Sequence, residues 1–333
     1  MKAKMYFDLA NIPVRYLRIL VLSGVVLVML ACASSRQPKL ILHEHPLVDR
    51  IWDVKNKAFI DRAELIQRML TTEYLMLGER HDNMVHHRYQ AWAIQQLYEA
   101  RQQASVAFEM IDDRQAGLLA RHRVSSVEKM IGILNQYKTH WYYEQRYKEL
   151  FATVLAAGYP IIPANLNRQR LKALSGRGEN KLPAAYKKML AQAPLSDKQM
   201  QSLRQEIKAS HCNMLDDTSV AKLVLSQRVR DAVMAHSLTK IRTPVKIFIA
   251  GAGHVRNDRG VPFYLARYNK KAKVMTLGFS EVEAGHDRVE LYTRRWGGEQ
   301  LPFDFVWFTP QVKRTDLCAQ FERHIKQKKE QGK

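Results

Sequence analysis

The segment LMLGERHDNMVHHRYQ, residues 75–90, brings a carboxylate and three histidines together directly after an apolar run. Glu79 ends the run, His81 follows it, and His86 and His87 open a stretch with helical spacing. Such side chains at a strand-to-helix turn can bind a cation, transfer a proton or form ion pairs. We expect His86 to face inward with a hydrogen bond, since it leads the apolar stripe of the helix, and His87 to be exposed.

Two further strand ends carry candidate site residues. GAGH, which ends in His254, repeats the Gly-x-x-His form of GERH, and the apolar run AFEM carries Glu109 near its end. In the two Gly-x-x-His segments we expect Gly78 and Gly251 to permit a sharp backbone exit. Because open parallel sheets bind ligands at the carboxyl ends of their strands, we expect one functional pocket at this rim. Its predicted members are Glu79, His81, Glu109 and His254.

These turns need a sheet to hold them, and the hydrophobic pattern predicts one. Short apolar strands alternate with segments of helical periodicity, which indicates an α/β fold with a mainly parallel sheet flanked by helices. Two polar helical stretches, about 114–140 and 167–237, are interpreted as inserts that form a helical cap subdomain. The predicted strands cover 73–79, 105–110, 159–166, 245–254 and 273–282, and the predicted helices cover 86–103 and 143–158.

The chain is strongly basic. Among its 333 residues, Lys and Arg number 53 against 32 Asp and Glu, a formal net charge of +21, which favours anionic partners. The basic residues are scattered and form no nucleic-acid-binding motif, so we expect no nucleic-acid partner. The segment GAGHVRNDRG is not a dinucleotide-binding loop, because Arg256 stands where the third glycine is required. We expect Arg256, Asp258 and Arg259 to pair with one another or with carboxylates.

The N-terminus predicts export. Basic residues precede the thirteen uncharged residues 19–31, a run that is too short to span a membrane and typical of a signal peptide. The following LACASS resembles the lipobox of bacterial lipoproteins, in which Cys32 would carry the lipid, such as palmitate. We therefore predict a signal peptide at 1–31 and a membrane tether at 32–46. The residue after Cys32 is not Asp, and in this respect the sequence resembles lipoproteins that are anchored in the outer membrane and face the periplasm.

The remaining cysteines and the C-terminus complete the predicted organisation. Cys212 and Cys318 could form a disulfide in an oxidising compartment, and the sequence leaves their pairing open. The chain has no Cys-x-x-Cys pair, so neither a zinc ribbon nor a thioredoxin-type site is expected. The folded α/β domain is predicted to cover 47–313, and residues 314–333 are predicted to form a basic tail.

As a set, these motifs resemble the Tiki superfamily and, within it, the ChaN-like haem-binding lipoproteins. The resemblance covers roughly residues 65–280, and the lipobox-like Cys32 fits the same family. Met84, Val85 and Asn213 depart from residues that are common there, and these departures lie in predicted loops. The matching segments are LGERHDN with HH and Gln (77–90), FEM (108–110), IIPANLNR (161–168), HC (211–212), QRVRDAVMA (227–235) and GAGHVRNDRGVPFYL (251–265).

The resemblance implies a membrane-anchored protein that binds haem in iron or haem acquisition. Its implied partners are a second copy of the chain, as a homodimer around haem, and an outer-membrane haem receptor. It also implies a tyrosine ligand to the haem iron, and HWYYEQRY contains the candidates Tyr142, Tyr143 and Tyr147, of which Tyr147 is the predicted ligand. The predicted haem-binding residues are His81, His86, Tyr147, His254 and Arg256.

The second hypothesis is an enzyme. Erythromycin-esterase-like and Tiki-like relatives use the Glu and His positions for hydrolysis, which implies a metal-dependent hydrolase with a divalent metal and a carboxylate that activates water. The residues involved would be Glu79, His81, Glu109 and His254. Their spacing is not that of His-Glu-x-x-His, so the sequence does not itself signal zinc ligation. The binding protein is the favoured hypothesis.

Overall fold

The structure is a computed structural model that describes residues 39–316, except 123 and 138, together with 318, 319, 322, 323 and 327. The predicted signal peptide and Cys32 lie outside the described residues. The strands are β1 (Leu40–Ile41), β2 (Ile51–Asp53), β3 (Ala58–Ile60), β4 (Tyr74–Glu79), β5 (Ala104–Asp112), β6 (Ile161–Asn165), β7 (Val245–Gly251), β8 (Val274–Glu281), β9 (Phe305–Thr309) and β10 (Gln311–Val312).

The central sheet has eight strands in the order β3-β2-β9-β8-β4-β7-β5-β6. In this sheet the pairs from β9 to β6 are parallel, and the pairs of β2 with β3 and with β9 are antiparallel. This confirms the predicted mainly parallel sheet. Every residue of β4 and β7 is buried, as the continuous apolar runs YLMLG and VKIFIA require when both faces of a sheet are covered.

Helices cover both faces of this sheet. On β4, Leu75 and Leu77 join one hydrophobic core and Met76 joins the other, because successive side chains of a strand point to opposite faces. The helices are α1 (Arg62–Leu70), α2 (Met84–Glu99), α3 (Asp113–Arg121), α4 (Val127–Leu134), α5 (Tyr143–Arg146), α6 (Lys148–Ala156), α7 (Arg168–Gly176), α8 (Ala184–Gln192), α9 (Asp197–Ser210), α10 (Asp217–Thr239) and α11 (Val261–Tyr268).

The stretches interpreted as cap inserts are helical in the structure. Helices α3 and α4 lie within or beside 114–140, and α7 to α10 fill 167–237 with a 3-10 turn at Glu179–Lys181. The long helix α10 packs against α7, α8, α9 and α11 and against strand β6. It therefore connects the helical region directly to the sheet near its carboxyl rim.

The predicted helix over 143–158 is two helices in the structure. Helix α5 ends and α6 begins on either side of Tyr147, whose φ of −114° departs from helical geometry. The side chain of Tyr147 is fully buried and its ring packs against Phe151 and His87. The chain therefore bends between α5 and α6, and the Tyr147 side chain lies beneath the rim of the sheet, where its hydroxyl bonds to Glu79.

Both ends of the described chain are held by contacts with the rest of the fold. Within the segment predicted as a tether, β1 pairs antiparallel with β10. Within the predicted basic tail, Arg314 pairs with Asp82 at 2.6 Å and Glu281 at 2.6 Å, and Cys318 forms a disulfide with Cys212. The two cysteines whose pairing the sequence left open are therefore bonded. A search of the described helices finds none with the length and apolar character needed to cross a bilayer.

Candidate functional site

Three adjacent strands bring the predicted carboxylates and histidines together. Strand β7 lies between β4 and β5, and Glu79 is in register with Gly251. The backbone N–H of Gly251 donates to Glu109 Oε2 at 2.8 Å, which ties β5 to the end of β7. The pairing of β5 with β6 is irregular between Phe108 and Asp112, where Glu109 lies. Such irregularities re-aim side chains near functional sites.

The first half of the site is centred on Glu79. Its Oε1 accepts hydrogen bonds from His81 Nδ1 at 2.8 Å and from the Tyr147 hydroxyl at 2.6 Å. Its Oε2 lies 3.3 Å from His87 Nε2. Burial alone would raise the pKa of Glu79, but His87 and His81 outweigh burial and hold that pKa well below its usual range. Glu79 is therefore a buried, ionised anchor for the rings around it.

The second half of the site is centred on His254. Its Nε2 lies 3.2 Å from Glu109 Oε1, and its Nδ1 is bonded to Asp231 Oδ1 at 2.5 Å. Burial alone would lower the pKa of His254, but Glu109 and Asp231 outweigh it and raise the pKa to about 10. Burial alone would raise the pKa of Glu109, but His254 outweighs burial and lowers that pKa. Asp231–His254–Glu109 is thus a charged chain with an imidazolium at its centre.

His81 joins the two halves. Its Nε2 lies 3.7 Å from Glu109 Oε2, while its Nδ1 is held by Glu79, and its side chain is 32% exposed. Burial would lower the pKa of His81, but Glu79 and Glu109 raise it above its usual value. At neutral pH a raised pKa favours the charged ring, which donates hydrogen bonds rather than accepting a proton.

The two glycines provide space rather than unusual backbone angles. We predicted a sharp exit, but neither Gly78 nor Gly251 has a positive φ. A Cβ on Gly251 would lie 2.9 Å from His81 Nε2, and one on Gly78 would lie 3.1 Å from the backbone of Ala252. The glycines therefore allow the strand ends to approach one another closely enough for His81 to reach both carboxylates.

Two predicted haem-binding residues lie outside this cluster. His86 is buried: its Nδ1 accepts from the backbone N–H of Arg80 at 2.8 Å and its Nε2 bonds to Thr309 Oγ1 at 2.9 Å. Burial lowers the pKa of His86 to about 3, so the ring is neutral. Arg256 is also buried and pairs with Asp258 and Glu206, each at 2.7 Å. His86 therefore faces inward as predicted, and Arg256 pairs with carboxylates as predicted.

The sequence prediction for His87 was wrong. Its side chain is 2% exposed, because Nδ1 is bonded to the backbone carbonyl of Arg146 at 2.7 Å and Nε2 faces Glu79. Helix α2 begins at its N-cap Asn83, whose side chain accepts from the Val85 N–H. This start places both adjacent histidines against buried surfaces, His86 towards Phe279 and His87 towards Tyr147.

The cap helix α10 adds site residues that sequence reasoning missed. Asp231 bonds to His254, Gln227 lies 3.0 Å from the same ring, and Arg230 Nη1 lies 3.7 Å from Glu109 Oε1. The signal for them was the run QRVRDAVMA, in which polar residues interrupt an otherwise apolar helix face. Only the three-dimensional packing shows that this face meets the rim.

An open pocket of about 720 Å³ lies above the cluster, a volume typical of small-molecule sites. His81, Glu109 and His254 reach it, whereas Tyr147 and Glu79 lie beneath. No group of three or more His, Cys, Asp or Glu side chains in the described part of the chain is arranged to hold a metal ion. The pocket is lined by His81, Glu109, Asp112, Arg114, Thr139, His140, Trp141, Arg146, Asn165, Leu166, Arg168, Arg230 and His254.

Comparison with solved structures shows the fold. The chain superposes on ChaN of Campylobacter jejuni, a structure of cofacial haem binding, with a TM-score of 0.62 and 19% identity over 77% of this chain and 95% of that one. The erythromycin esterase EreC, a mutant in its open conformation, matches with a TM-score of 0.39 and 11% identity over 77% of this chain and 94% of that one. The latter likeness is too distant to support an argument.

Sequence comparison identifies the family. No curated protein matches the chain significantly. The family model described as haem-binding uptake, Tiki superfamily, ChaN matches residues 65–265, which is more than half of the chain and includes every residue of the rim cluster. The chain therefore belongs to the ChaN haem-binding uptake family of the Tiki superfamily.

Proposed function

We propose that this protein is a lipoprotein of the outer membrane that faces the periplasm and binds haem as its cargo in iron or haem acquisition. Family membership supports haem as the ligand. The lipobox-like segment at Cys32 supports the lipid anchor, and the basic net charge of +21 suits a ligand with anionic propionates.

The observation that carries the haem proposal is the position of Tyr142. Its neighbours Trp141 and Arg146 line the pocket, and Tyr142 itself is 58% exposed. Its φ of 52° lies in the left-handed region, which a bulky residue rarely adopts. The guanidinium of Arg146 lies 4.8 Å from the centre of the Tyr142 ring. Tyr142 is therefore an exposed tyrosine whose neighbours in the chain and in space line the pocket.

We propose Tyr142, in place of the Tyr147 predicted from sequence, as the ligand to ferric iron. A tyrosinate oxygen stabilises the ferric state of haem. The Tyr147 hydroxyl is buried and committed to Glu79, and burial together with Glu79 raises the pKa of Tyr147 well above its usual value. Forming a tyrosinate there would place two negative charges 2.6 Å apart. Tyr142, by contrast, is exposed to solvent.

A surface ligand also fits the partners implied by the family resemblance. A haem bound at Tyr142 would keep one face open, and a second copy of the chain could cover that face. We therefore propose a homodimer around haem and an outer-membrane haem receptor as the source of cargo. Sedimentation of the protein with and without ferric haem tests the first of these, because dimer formation should require haem.

The alternative, a metal-dependent hydrolase, has weaker support. The charged chain Asp231–His254–Glu109 resembles an acid–base relay. However, a histidine accepts a proton only in its neutral form, and the raised pKa values of His81 and His254 favour their charged forms at neutral pH. The described residues also offer no metal-binding group of three. These observations favour binding of an anion over hydrolysis.

Two experiments test the proposed function. Ferric haem is titrated into the purified full-length chain, and apomyoglobin is then added as a competitor. A saturable complex that resists transfer at equal protein concentrations supports a haem carrier, whereas complete loss to the competitor at once contradicts it. Labelling of cells with a palmitate analogue tests the anchor: the label should be present in the wild type and absent in Cys32→Ser.

A further inference from the structure

The pocket above the rim cluster contains more positive charge than its own carboxylates can balance. Arg114 is paired with Asp112 at 2.7 Å, and Glu109 is occupied by His254 and by the N–H of Gly251. These pairs account for both acidic residues of the pocket lining. The remaining cations of the lining have to be balanced by solvent ions or by a ligand.

Two guanidinium groups of the lining are left without a carboxylate partner among the described residues, and a third has only a long ion pair. Within the described ranges, no acidic side chain lies within ion-pair distance of Arg146 or Arg168, and Arg230 reaches Glu109 Oε1 only at 3.7 Å. The Nε of Arg230 also lacks a hydrogen-bond partner among those residues. A guanidinium offers five N–H donors in a planar fork that matches a carboxylate. These three side chains therefore offer far more donors than the protein itself uses.

The arrangement of these donors indicates a ligand with several anionic groups. Arg146 is on α5, Arg168 begins α7 and Arg230 is on α10, so the three forks approach the pocket from separate helices. One monovalent anion would balance only one of them. His81 adds a partly exposed ring, and Trp141 and Leu166 add apolar surface for the carbon skeleton of a ligand.

We propose that this pocket binds a small molecule that carries two or more carboxylates, held by Arg146, Arg168 and Arg230 beside His81. The carboxylates have two possible sources: a free polycarboxylate anion, or the propionates of haem. The second source rests on the proposed function, whereas the first does not depend on it. The test changes Arg168 and Arg230 and leaves Arg146 in place, because the Arg146 guanidinium lies on the Tyr142 ring. Loss of the proposed iron ligand should therefore leave citrate binding measurable.

The test measures citrate binding and haem binding separately. Citrate is titrated into the full-length chain in detergent by calorimetry, with Arg168→Gln and Arg230→Gln as variants. Arg88→Gln is the matched control, because Arg88 is an exposed helix residue outside the pocket and its loss changes the net charge equally. The second arm compares ferric haem with its dimethyl ester, which lacks free carboxylates, in the same four proteins.

If the site takes a free polycarboxylate, each pocket variant should bind citrate about ten- to hundred-fold more weakly than the wild type. If it takes the propionates, each pocket variant should bind haem more weakly by that factor and should bind the dimethyl ester unchanged. Arg88→Gln should change neither affinity. Loss confined to citrate assigns the site to a free polycarboxylate, and loss confined to haem but not its ester assigns it to the propionates. The proposal is overturned if neither ligand responds to the pocket variants, if Arg88→Gln weakens binding equally, or if inorganic phosphate displaces citrate at lower concentration. Thermal unfolding of each variant shows whether it is folded, and Arg168→Lys provides a milder change at an exposed position.

Discussion

The hydroxyl of Tyr147 donates a 2.6 Å hydrogen bond to Glu79 Oε1, beneath the pocket. This contact joins the bend between α5 and α6 to the end of β4. It ties Tyr147 to the rim from below, and in our proposal the iron ligand is Tyr142 instead. The assignment separates the roles of two tyrosines that stand only five positions apart in the chain.

Tyr147→Phe should destabilise the protein by about 1–3 kcal/mol, because a buried hydrogen bond to a charged group is lost. Tyr142→Phe is the matched control, since the exposed Tyr142 ring supports no buried partner, and its unfolding free energy should stay within about 0.5 kcal/mol of the wild type. Urea unfolding of the two variants measures the difference. Equal stability of both would show that the contact with Glu79 contributes nothing.

The histidine at the centre of the acidic chain predicts a particular pH dependence. The pKa of His254 is about 10 in the folded protein against an ordinary value of 6.5. Its contribution to stability is therefore complete below about pH 6.5 and is lost as the pH rises towards 10, because the folded state binds the extra proton in that range. The wild type should lose stability relative to His254→Gln by up to about 1.4 kcal/mol per pH unit.

The measurement is urea unfolding of the wild type and His254→Gln at pH values from 6 to 10. The difference between the two free energies of unfolding should shrink steadily as the pH rises. A difference that is constant across the range would mean that His254 is not protonated in the folded protein, and the charged chain through Asp231 would then have to be abandoned.

Gly251→Ala should disturb His81, because the new Cβ would lie 2.9 Å from Nε2 of that ring. We expect a loss of about 1–3 kcal/mol from the crowding. Gly132→Ala is the matched control: it lies in helix α4 with no atom within 4 Å of the new Cβ, so it should be neutral or slightly stabilising. Chemical denaturation compares the two, and a displaced His81 resonance in NMR spectra locates the effect. Tolerance of Gly251→Ala with an unchanged His81 signal would contradict the close approach.

The ion pair of Arg314 with Glu281 attaches the C-terminal segment to strand β8, and its contribution to stability can be measured. Arg314→Gln leaves the buried carboxylate of Glu281 without its closest cation, and we expect a loss of about 3–5 kcal/mol. Arg68→Gln removes only the exposed ion pair of Arg68 with Glu64, so its effect on the free energy of unfolding should be much smaller. Similar losses in both variants would show that the pair of Arg314 with Glu281 is no stronger than a surface pair.

Much of the sheet was predictable because its central strands are continuous apolar runs. The runs that end in Glu79 and Gly251 and the run that carries Glu109 were found this way, and their ends bring Glu79, His81, Glu109 and His254 to one rim. Strands β2 and β3 were missed because three-residue strands at the sheet edge carry too little periodicity. Strand β9 was missed although its five residues are all buried, since no predicted helix preceded it to complete the alternating pattern.

The site was less predictable than the sheet. Strand ends indicate which residues reach a rim, but they do not show which helices cover it, so Asp231 and Arg230 on α10 were missed. Helical spacing predicted an uninterrupted helix through Tyr147. The break lies at the residue whose hydroxyl bonds to Glu79, and helical spacing does not show such a long-range contact. The burial of His87 likewise depends on Arg146, which is 59 positions away in the chain.

The central proposal is that Tyr142, an exposed residue next to the pocket lining, is the ligand to the haem iron. Its most direct test is the absorption spectrum of the ferric-haem complex of the wild type, Tyr142→Phe and Tyr147→Phe. We predict a high-spin tyrosinate spectrum in the wild type and in Tyr147→Phe, and its loss in Tyr142→Phe. Retention of that spectrum in Tyr142→Phe, or its loss in a folded Tyr147→Phe, would contradict the claim.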